Sequence, residues 1–342
     1  MRHKTFFWFI LPSALAMIIF IALPIVSVAV QSLYIGHQRV MIEVENCGPF
    51  GCHIETQVDV AATKQLVEDQ PLGIFNGFGT YANRGHLAVG EIGEIWRTTS
   101  GPIDFVNRVY DLPFYKALTF TLTYTFVVTP LVLVLGFIIA LAVNSLPGML
   151  KGVTIFFSLL PMIVTPLIGS LILFWMIDAR GIIGNSLQAL FDDPNLSLKA
   201  SKLLTWINLF VYGVWYNAPF SFIVFYAGLQ TVPRETLESA KVDGANRWQQ
   251  VRFVILPHLT PLAIFIVLMQ LMDGFRIFEP IVGFSASAYA TSLSWIIYND
   301  LTSEIQLFAS AAATSVLTII GVAVLLAPVL IRTWRNFETV GK

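Results

Sequence analysis

The sequence has little charge and little cysteine, and neither sign of charge is in excess. Charged residues make up 12% of the 342 residues, about half of the roughly 25% usual in soluble domains. The net charge of −1 gives no global field that would favour nucleic acid or acidic partners. Two cysteines are too few for a disulfide scaffold or a cysteine-rich metal site, and the histidines lack metal-ligand spacing. Apolar residues are abundant instead, at 56%, which indicates a chain whose main solvent is lipid.

Six apolar runs are long enough to cross a bilayer. A span needs about 20 apolar residues, because the hydrocarbon core is about 30 Å thick and a helix rises about 1.5 Å per residue. Backbone polar groups in lipid must pair within their own segment, so each run is predicted to be helical. The predicted spans are residues 6–30, 117–143, 153–177, 206–230, 260–278 and 307–331. The predicted fold is therefore an all-α membrane protein with six transmembrane helices.

The first run resembles a secretory signal peptide in two respects. Arg2 and Lys4 precede it, and residues 27–29 (Ser-Val-Ala) resemble a weak cleavage site. The apolar region of a signal peptide is about 7–15 residues long, whereas this run is about 25. We therefore favour an uncleaved first transmembrane helix at residues 1–30.

The placement of lysine and arginine predicts the orientation. With both termini in the cytoplasm, the inside segments are 1–5, 144–152, 231–259 and 332–342. They hold ten cations in 54 residues, whereas the outside segments hold nine in 142 residues. This bias follows the positive-inside rule and predicts an N-in/C-in protein.

Residues 31–115 form the largest predicted segment outside the membrane. They are far longer than the usual connector of about 4–6 residues, and they contain no Ser/His/Asp arrangement at a catalytic spacing. The predicted divisions are a first transmembrane helix at 1–30, a periplasmic loop region at 31–115 and a membrane core at 116–342. Cys47 and Cys52 lie on the outer, oxidising side, so a small disulfide-closed turn is predicted, with two free thiols as the alternative.

The predicted cytoplasmic loop before the fifth span has a distinctive pattern. Glu238-Ser239-Ala240 is followed by three residues and Gly244, and nine further residues lead to Val254-Ile255-Leu256-Pro257. This pattern resembles the EAA loop of binding-protein-dependent ABC importer permeases, in which Glu-Ala-Ala, three residues, Gly and nine residues precede Ile-x-Leu-Pro. Ser239 and Val254 depart from it but keep the size and character of the residues they replace.

Asp243-Gly244-Ala245 and Trp248-Gln249 resemble the carbohydrate branch of the family in particular, the maltose- and glycerol-phosphate-type sugar permeases. The resemblance covers about residues 114–342. It implies a type I ABC importer permease fold in the bacterial inner membrane, with an ABC permease core at 116–342 and a coupling loop at 233–257. In the family this loop docks into a groove of the ATPase subunit. The residues implied in ATPase coupling are Glu238, Ser239, Ala240, Asp243, Gly244, Ala245, Trp248, Leu256 and Pro257.

The same resemblance implies the partners. They are a second, homologous permease subunit as a heterodimer, two ATPase subunits, and a periplasmic or extracellular sugar-binding protein. The chain contains no Gly-x-x-x-x-Gly-Lys-Ser/Thr loop, so no cofactor is expected in it, and ATP and Mg²⁺ are expected in the partner ATPase. The chain is accordingly predicted to be a non-catalytic subunit. The outer loop 31–115 is expected to contact the binding protein.

The residues of the loop also predict its shape. Pro233 can open a helix, and Gly244 can adopt the positive φ at which a helix stops and turns. A second helix is predicted over about 246–255, ended by Pro257. Two short helices at a sharp angle would make a rigid knob, whereas an amphipathic loop on the membrane surface is the alternative.

Polar residues within the fourth and fifth spans are candidates for the transport path, because polar groups in the bilayer are costly and tend to line cavities or pair. The resemblance places a sugar site on these two spans. Asp273 and Arg276 are spaced to pair on one helix face, so a bundle-locking role is the alternative. The candidate path residues are Tyr216, Asn217, Phe220, Gln270, Asp273 and Gly274.

Two other classes of function are alternatives. An ion-coupled secondary transporter would use Asp273 as its coupling acid and would work without an ATPase. A membrane-embedded enzyme would need a catalytic cluster, which the sequence does not offer. The pattern at 238–257 favours the ATP-driven importer over both.

Overall fold

The structure is a computed structural model that describes the backbone of residues 2–37, 40–48, 51–303 and 306–340. Side chains are described at 6–37, 40–45, 53–303 and 306–333. The first part of the chain contains α1 (Arg2–Met17), a π-helical turn (Ile18–Ala22), α2 (Leu23–Gln31), β1 (Tyr34–Ile35), β2 (Met41–Gly48), β3 (Gly51–Val58), α3 (Val60–Asp69), β4 (Ile74–Phe75), α4 (Gly79–Ala82), α5 (Val89–Thr98) and α6 (Pro102–Tyr110).

The remaining elements are helical. They are α7 (Pro113–Ser145), α8 (Gly148–Ile163), α9 (Pro166–Met176), α10 (Ile182–Phe191), α11 (Lys202–Leu229), α12 (Arg234–Val242), α13 (Arg247–Gln250), a π-helical turn (Val251–Ile255), α14 (Leu256–Phe275), α15 (Glu279–Gly283), a 3₁₀ turn (Ala286–Ala288), α16 (Leu293–Thr302) and α17 (Phe308–Val340).

The chain forms two compact units, residues 1–116 with 296–319 and residues 117–295 with 320–342. In the first unit β1 pairs antiparallel with β4. The Ser32 hydroxyl lies 2.6 Å from the Tyr81 hydroxyl. The predicted membrane core, 116–342, includes residues 296–319. In the structure they pack with residues 1–116, through contacts that link residues far apart in the chain.

A second hairpin of the first unit carries the two cysteines. β2 pairs antiparallel with β3, and the register places Cys47 opposite Cys52. Their side chains lie outside the described residues, so the disulfide stays a prediction.

The second unit is a helical bundle with two apolar clusters. One cluster contains Phe120, Leu209, Tyr212 and Ile281, all almost fully buried. The other includes Phe222, again from α11, and residues of α7 and α14. Since lipid is as apolar as these side chains, such a bundle depends on close packing rather than on exclusion of water. α11 contributes to both clusters and is the central helix of the unit.

Five helical segments are long and apolar enough to span a membrane, and a bent helix pair would make a sixth. The five are Phe6–Gln31, Pro113–Ser145, Lys202–Leu229, Arg247–Phe275 and Phe308–Thr333. Each overlaps a predicted span. The described part of the chain buries no residue of Phe6–Gln31.

The predicted third span is not one straight helix. α8 and α9 are bent by 95° across a short break. Val164 and Thr165 both have extended backbone angles there. Thr165 precedes Pro166, and the ring of a proline disfavours a helical conformation in the residue before it. The predicted helical span over 153–177 is therefore helical on both sides of a break at Val164 and Thr165.

Candidate functional site

A cavity of about 420 Å³ lies in the second unit, between α7, α11, α14 and the segment that leads into α15. Its wall mixes aromatic rings, hydroxyls, amides and charges within a bundle that is otherwise apolar. The lining residues are Tyr124, Thr125, Val128, Thr129, Pro166, Tyr216, Asn217, Gln270, Asp273, Gly274, Arg276, Ile277, Glu279 and Pro280.

α7 contributes hydroxyl groups to one wall of this cavity. Thr125 and Thr129 are four residues apart and therefore lie on one face of the helix. The Thr125 hydroxyl donates to the carbonyl oxygen of Thr121 at 2.7 Å, which satisfies the donor inside the helix. Gly274 permits α14 to approach this face, since a Cβ at that position would lie 3.1 Å from Thr125 Oγ1.

α11 contributes Tyr216 and Asn217. The Tyr216 ring stacks on Tyr212, with centroids 5.9 Å apart and an interplanar angle of 19°. The Asn217 Nδ2 donates to the carbonyl oxygen of Gly213 at 2.8 Å, which fixes the orientation of the amide. Gly213 is itself required for packing, because a Cβ there would overlap the Tyr124 ring.

The carboxyl end of α14 supplies Gln270 and a salt bridge. Gln270 is only 4% exposed, and its amide has no hydrogen-bond partner within the described part of the chain. Asp273 accepts from Arg276 Nη2 at 2.7 Å, so the predicted pairing is confirmed. With Glu279 nearby, the cavity lining holds two carboxylates and one guanidinium group.

Five of the six candidate path residues line this single cavity. Phe220 is the exception, and its ring lies 6.2 Å from that of Phe265. The sequence reasoning missed Tyr124, Thr125, Thr129 and Glu279 as lining residues. The spacing of Thr121, Thr125 and Thr129 at every fourth position of an apolar span was the signal that could have found the α7 wall.

The segment at 233–257 begins as predicted with a short helix that Gly244 ends. Gly244 has a φ of +78°. Its N–H donates to the carbonyl oxygen of Lys241 at 3.0 Å, and the N–H of Ala245 donates to that of Ala240 at 2.9 Å. These paired bonds form a Schellman motif, in which a left-handed residue closes the end of a helix.

A capping box starts the next helix. Asn246 Oδ1 accepts from the N–H of Gln249 at 2.9 Å, and Gln249 Oε1 accepts from the N–H of Asn246 at 2.8 Å. Since two helix-end donors are thereby satisfied, the turn between α12 and α13 has a defined geometry.

Pro257 does not end this second helix, so that prediction was wrong. α13, the π-helical turn Val251–Ile255 and α14 run on as one helical segment, Arg247–Phe275. Pro257 lies in the first turn of α14. The π-helical turn before it has wider hydrogen-bond spacing, and such turns are among the features that let a helix accommodate a proline.

Most of the predicted coupling residues are exposed. Val242 and Trp248, both large and apolar, are 88% and 70% exposed. Ala240 and Ala245 are half-buried at the Schellman turn. The exposed members of the predicted set are Glu238, Ser239, Asp243, Gly244, Trp248, Leu256 and Pro257. Large apolar side chains that the chain leaves uncovered are typical of a docking surface.

Across the described residues, no group of three His, Cys, Asp or Glu side chains is placed to hold a metal ion. The site therefore consists of two parts that belong to one unit, a polar cavity and an exposed two-helix turn.

Comparison with known proteins identifies the family. Residues 132–336 match the model of "Binding-protein-dependent transport system inner membrane component". The multiple sugar-binding transport system permease protein MsmF of Streptococcus mutans is 32% identical over 71% of this chain and 86% of its own length. The probable ABC transporter permease protein y4oQ of Sinorhizobium fredii is 28% identical over 70% of this chain and 76% of its own length.

A solved structure shares the fold. A chain of a bacterial alginate ABC transporter, crystallised with an alginate pentasaccharide-bound periplasmic protein, aligns with a TM-score of 0.56 and 20% identity. The alignment covers 71% of this chain and 85% of that one. This protein therefore belongs to the binding-protein-dependent transport system inner membrane components and is a multi-pass permease subunit of the bacterial inner membrane.

Proposed function

We propose that this chain is the path-forming permease subunit of an ATP-driven importer of sugars or sugar derivatives, with the cavity of the second unit on the path. The observation that carries this proposal is the gathering of five candidate residues from two helices, predicted from sequence, around one polar cavity. The relative MsmF belongs to a multiple sugar-binding transport system, which supports sugar as the substrate class.

The chemistry of the cavity suits a polyhydroxylated ring. Hydroxyls of a sugar need donors and acceptors, which Asn217, Gln270 and the carboxylates of the lining provide. The apolar face of a sugar ring packs against aromatic side chains, and Tyr124 and Tyr216 are available in the same wall. Gln270 lines the cavity and its amide makes no hydrogen bond within the described part of the chain, so a bound sugar hydroxyl would give this amide a partner.

Energy for transport would come from the hydrolysis of ATP, which two partner ATPase subunits would bind together with Mg²⁺. The exposed turn at 233–257 supports this assignment, because two helices joined by a Schellman motif and a capping box can transmit a rigid-body movement. The proposed arrangement is a type I fold with six spans and both termini in the cytoplasm, which puts this turn on the ATPase side.

Two further partners are proposed. A homologous second permease would cover the first span, Phe6–Gln31, in which the described chain buries no residue. A periplasmic sugar-binding protein would dock on the outer face, with the region 31–115 as a contact. The alginate transporter structure, which contains a periplasmic protein, supports this arrangement.

The alternative of an ion-coupled secondary transporter finds less support. The exposed two-helix turn at 233–257 is suited to docking on a partner ATPase, which such a transporter would not have. Uptake that requires ATP and withstands an uncoupler would separate the two mechanisms.

The proposal is tested by paired substitutions. Asp273→Asn should lower ATP-dependent sugar uptake at equal membrane abundance, because it removes both a ligand acceptor and the partner of Arg276. The matched control is Asp104→Asn, which breaks a similarly exposed intrahelical ion pair, with Arg108 at 3.2 Å, and Asp104 is not among the residues that line the cavity. Equal uptake by the two variants would remove Asp273 from the path.

A further inference from the structure

Helices α5 and α6 of the first unit expose large apolar side chains that nothing in the described chain covers. Val89 and Trp96 of α5 are 62% and 72% exposed, and Ile103 and Val106 of α6 are 77% and 62% exposed. We call these four residues the α5–α6 face. They are a substantial apolar surface for helices outside the membrane spans.

The spacing of these residues makes each helix amphipathic. Val89 and Trp96 are seven residues apart and Ile103 and Val106 are three apart, so each pair lies along one side of its helix. Trp96 also meets Phe105 edge to face, with ring centroids 5.3 Å apart, which joins α5 to α6. Of the charged side chains on these helices, Glu91 pairs with Arg84 and Asp104 pairs with Arg108.

Both ends of the α5–α6 segment are fixed to the ends of membrane spans. Three residues before α5, His86 Nε2 lies 3.0 Å from the Ser310 carbonyl oxygen and 3.1 Å from Thr314 Oγ1. Ser310 and Thr314 belong to the first turns of the span Phe308–Thr333. At the other end, α6 stops at Tyr110 and the span Pro113–Ser145 begins after a two-residue link.

A segment held at both ends by spans cannot rise far from the bilayer surface. The α5–α6 pair contains about 20 residues. In the proposed topology, with both termini in the cytoplasm, the spans at its two ends both begin on the outer side of the membrane. Helices with one apolar and one charged side at this level lie in the interface plane, where tryptophan is also favoured.

We propose that the α5–α6 face is a lipid-binding surface that rests in the headgroup and upper acyl region, on the membrane side that carries residues 32–112. A bilayer fits this surface better than a protein partner does, because the anchors bring it to the lipid. The pair of helices carries three carboxylates and two guanidinium groups, so attraction to anionic lipid is not the driving force. Insertion by apolar burial should proceed equally in neutral and anionic bilayers.

Spin-label accessibility tests the proposal on the full chain in phosphatidylcholine nanodiscs. The two native cysteines are first replaced, as Cys47→Ser and Cys52→Ser. Single labels are then attached at Val89→Cys and Val106→Cys on the face, and at Glu94→Cys and Arg108→Cys on the opposite, exposed sides of the same helices. Collisions with oxygen, which concentrates in lipid, are compared with collisions with a water-soluble nickel chelate.

The expected result is that oxygen dominates at residues 89 and 106, at a depth of about 5–10 Å, and that nickel dominates at residues 94 and 108. Adding phosphatidylglycerol should leave the depth unchanged. Equal nickel access at all four positions would overturn the proposal, because the face would then be in water. Exclusion of both reagents from 89 and 106 would also overturn it, because a protein, such as a second copy, would then cover the face. The two helices give independent readings, so a label that disturbs one does not decide the outcome.

Discussion

Substitution of Gly244 offers the sharpest test of the turn at 233–257. Gly244 has a φ of +78°, and a Cβ built there meets no atom within 4 Å. A larger side chain would therefore clash with no atom. Only the positive φ of the backbone would disfavour the substitution. Gly244→Val places a β-branched residue where such residues are outliers, whereas Gly244→Asn adds a side chain of similar size that tolerates this conformation.

The size of the effect follows from the backbone alone. A left-handed conformation costs an ordinary L-residue about 1–2 kcal/mol. If the ATPase binds only the intact Schellman turn, Gly244→Val should weaken that binding by up to about 5- to 30-fold. Gly244→Asn should lose much less, because asparagine is accepted at such positions.

The assay is the dissociation constant of the partner ATPase for the full chain in nanodiscs, with co-purification from membranes as a second readout. The thermal unfolding midpoint of the chain itself should fall by a few degrees at most, because Gly244 packs against nothing and only the backbone cost of about 1–2 kcal/mol acts on it. Wild-type affinity in Gly244→Val would refute the reasoning. Equal losses in both variants would do so too, because side-chain bulk rather than φ would then be responsible.

Three other substitutions have defined outcomes. Gly274→Val should lower both thermal stability and uptake, because its branches would enter the space of Thr125, which already lies 3.1 Å from an added Cβ; an unchanged melting midpoint would contradict this packing. Asn246→Ala should weaken ATPase binding less than Gly244→Val does, since losing an N-cap costs about 1 kcal/mol, and a null result in the binding assay would show that the capping box is dispensable. The Lys199 ammonium, 2.8 Å from Asp178, and the N–H of Arg180 hold the pKa of that carboxyl below its ordinary value of 3.8. These contacts of the ionised Asp178 therefore stabilise the folded chain fully above pH 3.8, and the stabilisation is lost as the pH falls through the lowered pKa. Between these pH values the melting midpoint of Asp178→Asn should fall less steeply with acidification than that of the wild type.

The sequence predicted the spans well where the apolar run was uninterrupted. Five runs became single helical segments within a few residues of the predicted bounds at most ends. The largest discrepancy was at Arg247–Phe275, which starts well before the predicted residue 260. Hydropathy marks where lipid lies, whereas a helix continues past that point as long as its backbone bonds are satisfied.

Two differences between the predicted and the observed helices involve proline. Pro166 follows an extended residue and accompanies a 95° break, whereas Pro257 sits in the first turn of α14, after a π-helical turn, and leaves the segment continuous. The residue type is the same in both places. What differs is whether the preceding backbone can re-pair its carbonyl groups, which depends on neighbouring helices and turns.

Composition, hydropathy and the 238–257 pattern by themselves determined that this is a multi-span membrane protein and a permease subunit, because those properties depend on local residue types. Only the tertiary structure decided which polar residues share a cavity. Tyr124 and Thr125 on α7 are distant in sequence from Gln270 and Asp273 on α14, and the close approach at Gly274 brings the two helices together. That approach depends on how closely the surfaces of the two helices fit together, and no pattern within a single segment of sequence reveals this fit.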